Sequence, residues 1–359
     1  MKRWMFAAVL IYGACMFSSC TSDDDNPVTP PEEEEGYTGI PLVILDMDLG
    51  SSTDDLFAME MLYNYEAQGK CKLLGFIIDR EGEQNAAYTD MMNTYFGRTD
   101  LPIGIVRNGV DNPRVFINYA PLYELKDSKS NLMFRHSISN YAALPNGWKL
   151  HRQLLAEQPD HSVSICSLGF VTCLAQLLES EGDEYSPLNG IELVRQKVKS
   201  LYIMGGNFHI PPVAEYNIEA SFEFAKVFFD LWPKDVDIMF SPAEVGDALY
   251  YTGEMIIEDI SWTDVHPIKQ IYLQLSHDTS QHMWDPLAVI QAIEGDELFT
   301  LSERGNVTLT SNARNNLHTF CHGKLPLPVA RLRVVERPNA GENKNCHQAT
   351  AWCIKSINI

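Results

Sequence analysis

Positive charge is what this chain has least of: 27 lysines and arginines stand against 48 aspartates and glutamates, a net charge of −21. That balance excludes nucleic-acid backbones and anionic lipid headgroups as partners, because both repel an acidic surface. Cysteines in CxxC spacing are absent, which argues against a cysteine-ligated zinc site. There is no internal repeat and no domain-splitting linker. The apolar stretch Trp4–Met16 is too short for a comfortable bilayer span.

That stretch reads instead as part of a leader. Lys2 and Arg3 precede it and Ser18-Ser19-Cys20 follows, the layout of a secretory signal with a small-residue cleavage site. A cysteine directly after small residues resembles a bacterial lipobox. The resemblance implies a signal peptide over residues 1–19 and lipidation of Cys20, hence a membrane contact through that anchor. Residues 20–37, with Asp23-Asp24-Asp25 and Glu32–Glu35, are acidic, bear prolines and are almost without apolar side chains, so they read as a disordered tether. Ser22 followed by three aspartates resembles the surface-export signal of Bacteroidetes lipoproteins. The implied location is the outer membrane, facing outward. Seven of the acids lie in this tether, so the remainder is only moderately acidic.

Residues 38–359 have a length suited to one large domain. Strand patterns at Leu42–Leu45, Leu73–Ile78, Ile103–Val106, Val163–Ser167, Val198–Met204 and Val236–Phe240 alternate with helical ones. The latter cover Asp54–Gln68, Gln84–Phe96, Gly147–Glu157, Val171–Glu181, Glu219–Leu231, Ala243–Tyr251 and Asp285–Ile293. This rhythm predicts an α/β fold: an open, mostly parallel sheet with helices on both faces. Asn108–Pro145 breaks the rhythm and reads as a lid or as an ordered insertion. Beyond Asp285 come short β-like pieces, among them Val307–Thr310 and Val329–Val335. Cys166 and Cys173 sit in apolar patterns and read as buried thiols. An oxidising exterior permits one bridge among Cys321, Cys346 and Cys353.

The chemistry concentrates where the first strand ends. Leu42–Leu45 empties into Asp46-Met47-Asp48-Leu49-Gly50-Ser51-Ser52-Thr53-Asp54-Asp55, four carboxylates on a short turn before an amphipathic helix. Ligands of open α/β sheets sit at such strand exits. Crowded like charges raise one another's pKa unless a cation lies between them, and hard oxygen ligands on a flexible turn suit Ca²⁺ or Mg²⁺. Three further exits carry polar groups. Val163–Ser167 runs into Leu168-Gly169-Phe170-Val171-Thr172, a turn that exposes carbonyls. Leu201–Met204 runs into Gly205-Gly206-Asn207, with Ala214-Glu215-Tyr216-Asn217 beyond; these supply donors and acceptors for sugar hydroxyls. Trp284-Asp285-Pro286 places Asp285 as N-cap and Pro286 as first helical residue, a capping role sufficient by itself.

In this order, the set Asp46-x-Asp48…Asp54-Asp55, Gly169…Thr172, Met204-Gly205-Gly206, Ala214–Asn217 and Asp285–Val289 resembles the inosine–uridine nucleoside hydrolase family over nearly the whole domain. The resemblance implies Ca²⁺ held by Asp48, Asp55, Asp285 and the Thr172 carbonyl, with Asp48 activating the metal-bound water. Asp54, Asn207, Glu215 and Asn217 would bind the ribose of a nucleoside or riboside, and Asp46 would support them. The family is usually oligomeric, which allows a homo-oligomer. Two features depart from the pattern. The turn from Asp48 to Asp54 is longer than in the best-known members, and the family's purine-protonating histidine is replaced by Trp284. An indole cannot protonate a leaving base, although it can stack on one. His209, His277 and His282 are candidate acids by neighbourhood only. The competing expectation from another class is a non-catalytic, Ca²⁺-containing lipoprotein that binds a nucleoside or sugar. A haloacid-dehalogenase-type phosphatase, suggested by Asp46-Met47-Asp48, is disfavoured by Gly50 where a hydroxyl is wanted.

Overall fold

A computed structural model describes residues 37–50, 52–110, 117–275, 280–319 and 332–338. The stretch expected to be a signal peptide, Cys20, nearly all of the expected tether, His277, Cys321, Cys346 and Cys353 lie outside the described residues.

The first half alternates as its patterns dictate. Strand β1 (Leu42–Met47) leads into helix α1 (Asp54–Ala67), β2 (Lys72–Arg80) into α2 (Glu83–Tyr95), and β3 (Ile103–Val110) into the insertion and α3 (Gly147–Ala156). Then follow β4 (Val163–Ser167), α4 (Thr172–Leu178), α5 (Gly190–Lys197), β5 (Val198–Met204), α6 (Tyr216–Ala220), α7 (Phe222–Leu231), β6 (Asp237–Ser241) and α8 (Ala243–Gly246). The rest comprises β7 (Tyr250–Thr252), α9 (Gly253–Asp259), α10 (Pro267–Gln274), β8 (Ser280–His282), α11 (Asp285–Glu294), β9 (Phe299–Leu301), β10 (Gly305–Leu309), β11 (Asn315–Thr319) and β12 (Leu332–Pro338).

Among the described residues the main sheet runs β11-β10-β12-β6-β5-β4-β1-β2-β3, parallel from β12 to β3 and antiparallel at β10 and β11, while β9 pairs antiparallel with β12. From β1 the chain moves one way to β2 and β3, then returns to the other side of β1 for β4, β5 and β6. The carboxyl ends of β1 and β4 therefore flank the place where strand order reverses, which is where such sheets open a crevice. The two faces are both covered. Val43, Leu45 and Met47 pack with side chains of α1, α2, α10 and α11, whereas Leu42 and Ile44 pack with those of α3, α4, α5 and α7. Period-two alternation makes one strand serve two cores, and it aims Asp46 at the α3 side.

Several boundaries differ from expectation. The helix expected to Tyr251 stops at Gly246, where the backbone lies so close to Trp284 that a Cβ would come within 2.1 Å of its Cδ1, and the chain goes on to β7, which pairs antiparallel with β8. The helix expected over Glu219–Leu231 is two helices meeting at Ser221, whose hydroxyl bonds back to the Asn217 carbonyl at 2.7 Å. Helices α5, α9 and α10 were not anticipated, although α5 opens on a capping box made by Asn189 and Glu192. The insertion is pinned to the body of the fold. Asp90 accepts from the Ser137 and Ile138 amides at 2.9 Å each, and the Tyr119 side chain is fully buried.

Candidate active site

The turn after β1 is built to hold carboxylates in a fixed place. Gly50 has φ +112°, and a Cβ there would meet Asn85 Oδ1 at 2.3 Å, so only glycine fits. Its amide donates to the Tyr119 hydroxyl at 2.9 Å, which gives the insertion a supporting role beneath the turn. Thr53 then ties residues far apart in sequence: its amide donates to Gln281 Oε1 at 3.1 Å and its hydroxyl meets the Tyr272 hydroxyl at 2.5 Å. Helices α1 and α11 lie side by side, so their first residues meet.

The consequence is a buried acidic cluster. Carboxylate oxygens of Asp54, Asp55 and Asp285 lie within 4.8 Å of one another. Asp285 is the first residue of α11, with Trp284 as the N-cap residue, so its carboxylate is not spent on capping as the sequence suggested. Burial first, and then the neighbouring carboxylates, push Asp55 and Asp285 well above the ordinary range. Burial raises Asp54 to about 6 against hydrogen bonds from Ser52 and from the amides of Asp285 and Trp284. Asp55 Oδ1 is buried without a hydrogen-bond partner. Three convergent oxygen donors, one of them orphaned, fit a hard divalent cation, whose charge would let all three ionise.

Asp48 lies beside that trio, where its charge helps to raise Asp55 and Asp285, and it also pairs with a cation of the chain. Arg80, at the end of β2, reaches Asp48 Oδ2 with Nη2 at 2.9 Å and the Asp48 carbonyl with Nε at 2.9 Å. The guanidinium lies 4.9 Å from the Phe170 ring centroid and donates to the Tyr216 hydroxyl at 3.3 Å. Burial raises Asp48 to about 7, opposed by Arg80 and reinforced by Asp54. Asp54, expected on the ribose, belongs to the trio, and both it and Asp48, expected on the ion, line the same cleft. Thr172 begins α4 and is buried, with a hydroxyl that has no partner. The adjacent Gly169 comes so close that a Cβ there would lie 2.5 Å from the Asp48 amide nitrogen. Beneath the site, Asp46 meets His151 Nε2 at 2.8 Å, and Asp79 accepts from the Cys173 amide at 2.8 Å. Burial raises Asp46 to about 7 and lowers His151 to about 4.

A cleft of about 260 Å³ opens above the acids, and Asp48, Asp54, Asn207, Glu215, Asn217, Trp284 and Asp285 all line it. Glu215 caps α6, accepting from the Asn217 amide at 2.8 Å and the Ile218 amide at 3.1 Å, and it also accepts from Gly206 at 3.2 Å. One carboxylate thereby locks both polar loops, and burial raises it to about 7. Asn217 Nδ2 contacts the Leu168 carbonyl at 3.4 Å, and Asn207 Oδ1 accepts from the His209 amide at 3.2 Å. The Trp284 indole N–H donates to Asp247 at 2.9 Å, and its ring stacks on His282 at 4.9 Å. His209 is exposed and does not line the cleft.

Sequence reasoning missed Arg80 and Asp247. An arginine at the carboxyl end of a strand beside β1 was a readable signal, since that edge carries ligands. Asp247 gave no signal, because it lies in the stretch expected to be helical.

The comparisons agree with this fold. The family model described as inosine-uridine preferring nucleoside hydrolase matches residues 43–352. An inosine-uridine preferring nucleoside hydrolase from Bacillus anthracis superposes with TM-score 0.64 at 16% identity, over 89% of this chain and 99% of that one. A plant nucleoside hydrolase gives 0.60 at 16% identity, over 88% and 98%. A purine-preferring ribonucleoside hydrolase from Gardnerella vaginalis gives 0.57 at 16% identity, over 83% and 94%. No curated protein matches the chain. The match of the family model to most of the sequence, on a sheet whose crevice gathers the acids, means that the chain belongs to the inosine-uridine preferring nucleoside hydrolase family.

Proposed function

We propose that the protein hydrolyses the N-glycosidic bond of a ribonucleoside or related N-riboside in a Ca²⁺-dependent reaction, as a lipid-anchored enzyme of the cell envelope. The observation that carries this reading is the convergence of Asp54 and Asp55, from one end of the domain, with Asp285, from the other. These three would hold the ion, with Asp48 and the Thr172 carbonyl adjoining. When bound, Ca²⁺ supplies the positive charge that makes water a better proton donor. Asp48, kept in place by Arg80, accepts that proton. Asn207, Glu215 and Asn217 grip ribose hydroxyls, and the carboxylates below favour the positive charge that develops on the sugar as the bond to nitrogen lengthens. The leader and Cys20 support the location.

Release of ribose by the full-length protein in detergent, from a panel of nucleosides and 4-nitrophenyl riboside, tests the reading. Activity with Ca²⁺, its loss on chelation, and a loss of at least 10³-fold in Asp48→Asn are expected. One observation favours the second reading, a Ca²⁺-containing binding lipoprotein: Trp284 stands where a proton donor would serve. Ligand binding without release of ribose from any of these compounds would select it.

A further inference from the structure

Trp284 leaves the reaction without an obvious way to protonate a departing base, and the rest of the cleft sharpens the problem. Among the described residues that line it there are five carboxylates, Asp48, Asp54, Glu215, Asp247 and Asp285, and no lysine, arginine or histidine. The Tyr216 hydroxyl, which also lines the cleft, is engaged by Arg80 at 3.3 Å, on the Asp48 side. Even with a divalent ion in the cluster and Arg80 on Asp48, carboxylate charge exceeds positive charge. Neutral nucleobases depart poorly from such a place, because the electron pair of the broken bond would add a negative charge to the ring.

The indole is nevertheless firmly held. Its N–H is fixed by Asp247 at 2.9 Å, His282 lies against it with ring planes 28° apart, and Gly246 leaves room that a side chain would take. Tryptophan is the best aromatic partner for a cation, and a carboxylate at the ring's edge adds to that preference. A substrate whose leaving nitrogen is already quaternary needs no acid. We propose, building on the reading above, that this site is selective for ribosides with a cationic heteroaromatic leaving group, of the N-ribosylpyridinium class, seated on Trp284 beside Asp247. In the reaction the bond from C1′ to the ring nitrogen breaks and its electron pair goes to that nitrogen, so a neutral pyridine departs. The oxygen of water bonds to C1′, and its proton passes to Asp48. The products are ribose, the pyridine and one proton, with no oxidant or reductant required.

The experiment compares N-ribosylnicotinamide, inosine, uridine and 4-nitrophenyl riboside with the full-length protein and Ca²⁺. The expected kcat/KM for the pyridinium exceeds that for inosine and uridine by at least a hundredfold. Trp284→Ala lowers the pyridinium value more than tenfold, chiefly through KM, and Trp284→Phe recovers part of it. Asp247→Asn lowers it at least threefold. His277→Ala, at a position outside the described residues, leaves the pyridinium kcat within threefold. Inosine or uridine cleaved within tenfold of the pyridinium would overturn the inference, as would a tryptophan variant that weakens all four substrates equally or a His277 variant that abolishes pyridinium turnover. If 4-nitrophenyl riboside is cleaved but the pyridinium is not preferred, only this inference falls. If none of the four yields ribose, the hydrolase reading falls with it.

Discussion

Replacing Asp54 by asparagine should make the metal-free protein more stable and the Ca²⁺-loaded protein less so. Burial moves Asp54 from its ordinary 3.8 to about 6, and an acid held above its unfolded value destabilises the fold wherever it must ionise. Below about pH 4 both states keep the proton and nothing is lost. Between 3.8 and about 6 the unfolded chain ionises first, so metal-free stability falls as pH rises, levelling off near a loss of about 3 kcal/mol. Asparagine removes that loss while retaining one acceptor for the Ser52 hydroxyl and the Trp284 and Asp285 amides. Weakening these charge-assisted bonds takes back about 1–2 kcal/mol, leaving a net gain of about 1–2 kcal/mol at pH 7.5 in chelator. With Ca²⁺ at a hundred times its Kd the wild type gains about 2.7 kcal/mol, and the variant should gain far less. Urea titrations at pH 5 and 7.5, with Ca²⁺ and with chelator, measure all four cases. A variant that is less stable by the same amount in every condition would refute the argument, because the Asp54 carboxylate would then be an ordinary structural acceptor.

Arg80→Met leaves the Asp48 carboxylate buried without its partner, so metal-free stability should drop by about 3–5 kcal/mol by urea titration, and Ca²⁺ should recover part of it. Gly169→Ala drives a Cβ to 2.5 Å from the Asp48 amide nitrogen, and is expected to cost about 1–3 kcal/mol and most of the activity; an unchanged kcat would show that the loop can retreat. Trp284→His restores a group that can carry a proton in the cleft and should raise kcat for inosine by up to about 10²-fold in steady-state assays. No gain, in a variant that still binds inosine, would place the proton donor elsewhere.

Much of the fold was legible because it rests on local patterning. Six apolar runs of strand length separated by amphipathic stretches leave few options besides a parallel sheet with helices on both faces, and β1 through β6 lie where those runs do. The misplaced boundaries have tertiary causes. Helix α8 stops at Gly246, whose backbone lies against Trp284, 38 positions later, leaving no room there for a Cβ. The insertion shows its aromatic character in sequence, but only the packing of Tyr119 under Gly50 reveals it as a support for the acidic turn.

The same division holds at the site. The chain by itself singled out carboxylates that the fold gathers at one cleft, since four acids on one turn after a buried strand exceed any capping need, and the ordered motifs pointed to Asp285, Glu215 and Asn217, which line the same cleft. What it left open was how these acids share positive charge. That depends on distances between segments more than two hundred residues apart, and on Arg80, which emerges from the neighbouring strand and pairs with Asp48. Electrostatic partners in a buried crevice are chosen by proximity in space, and proximity is settled only when helices α1 and α11 dock against each other.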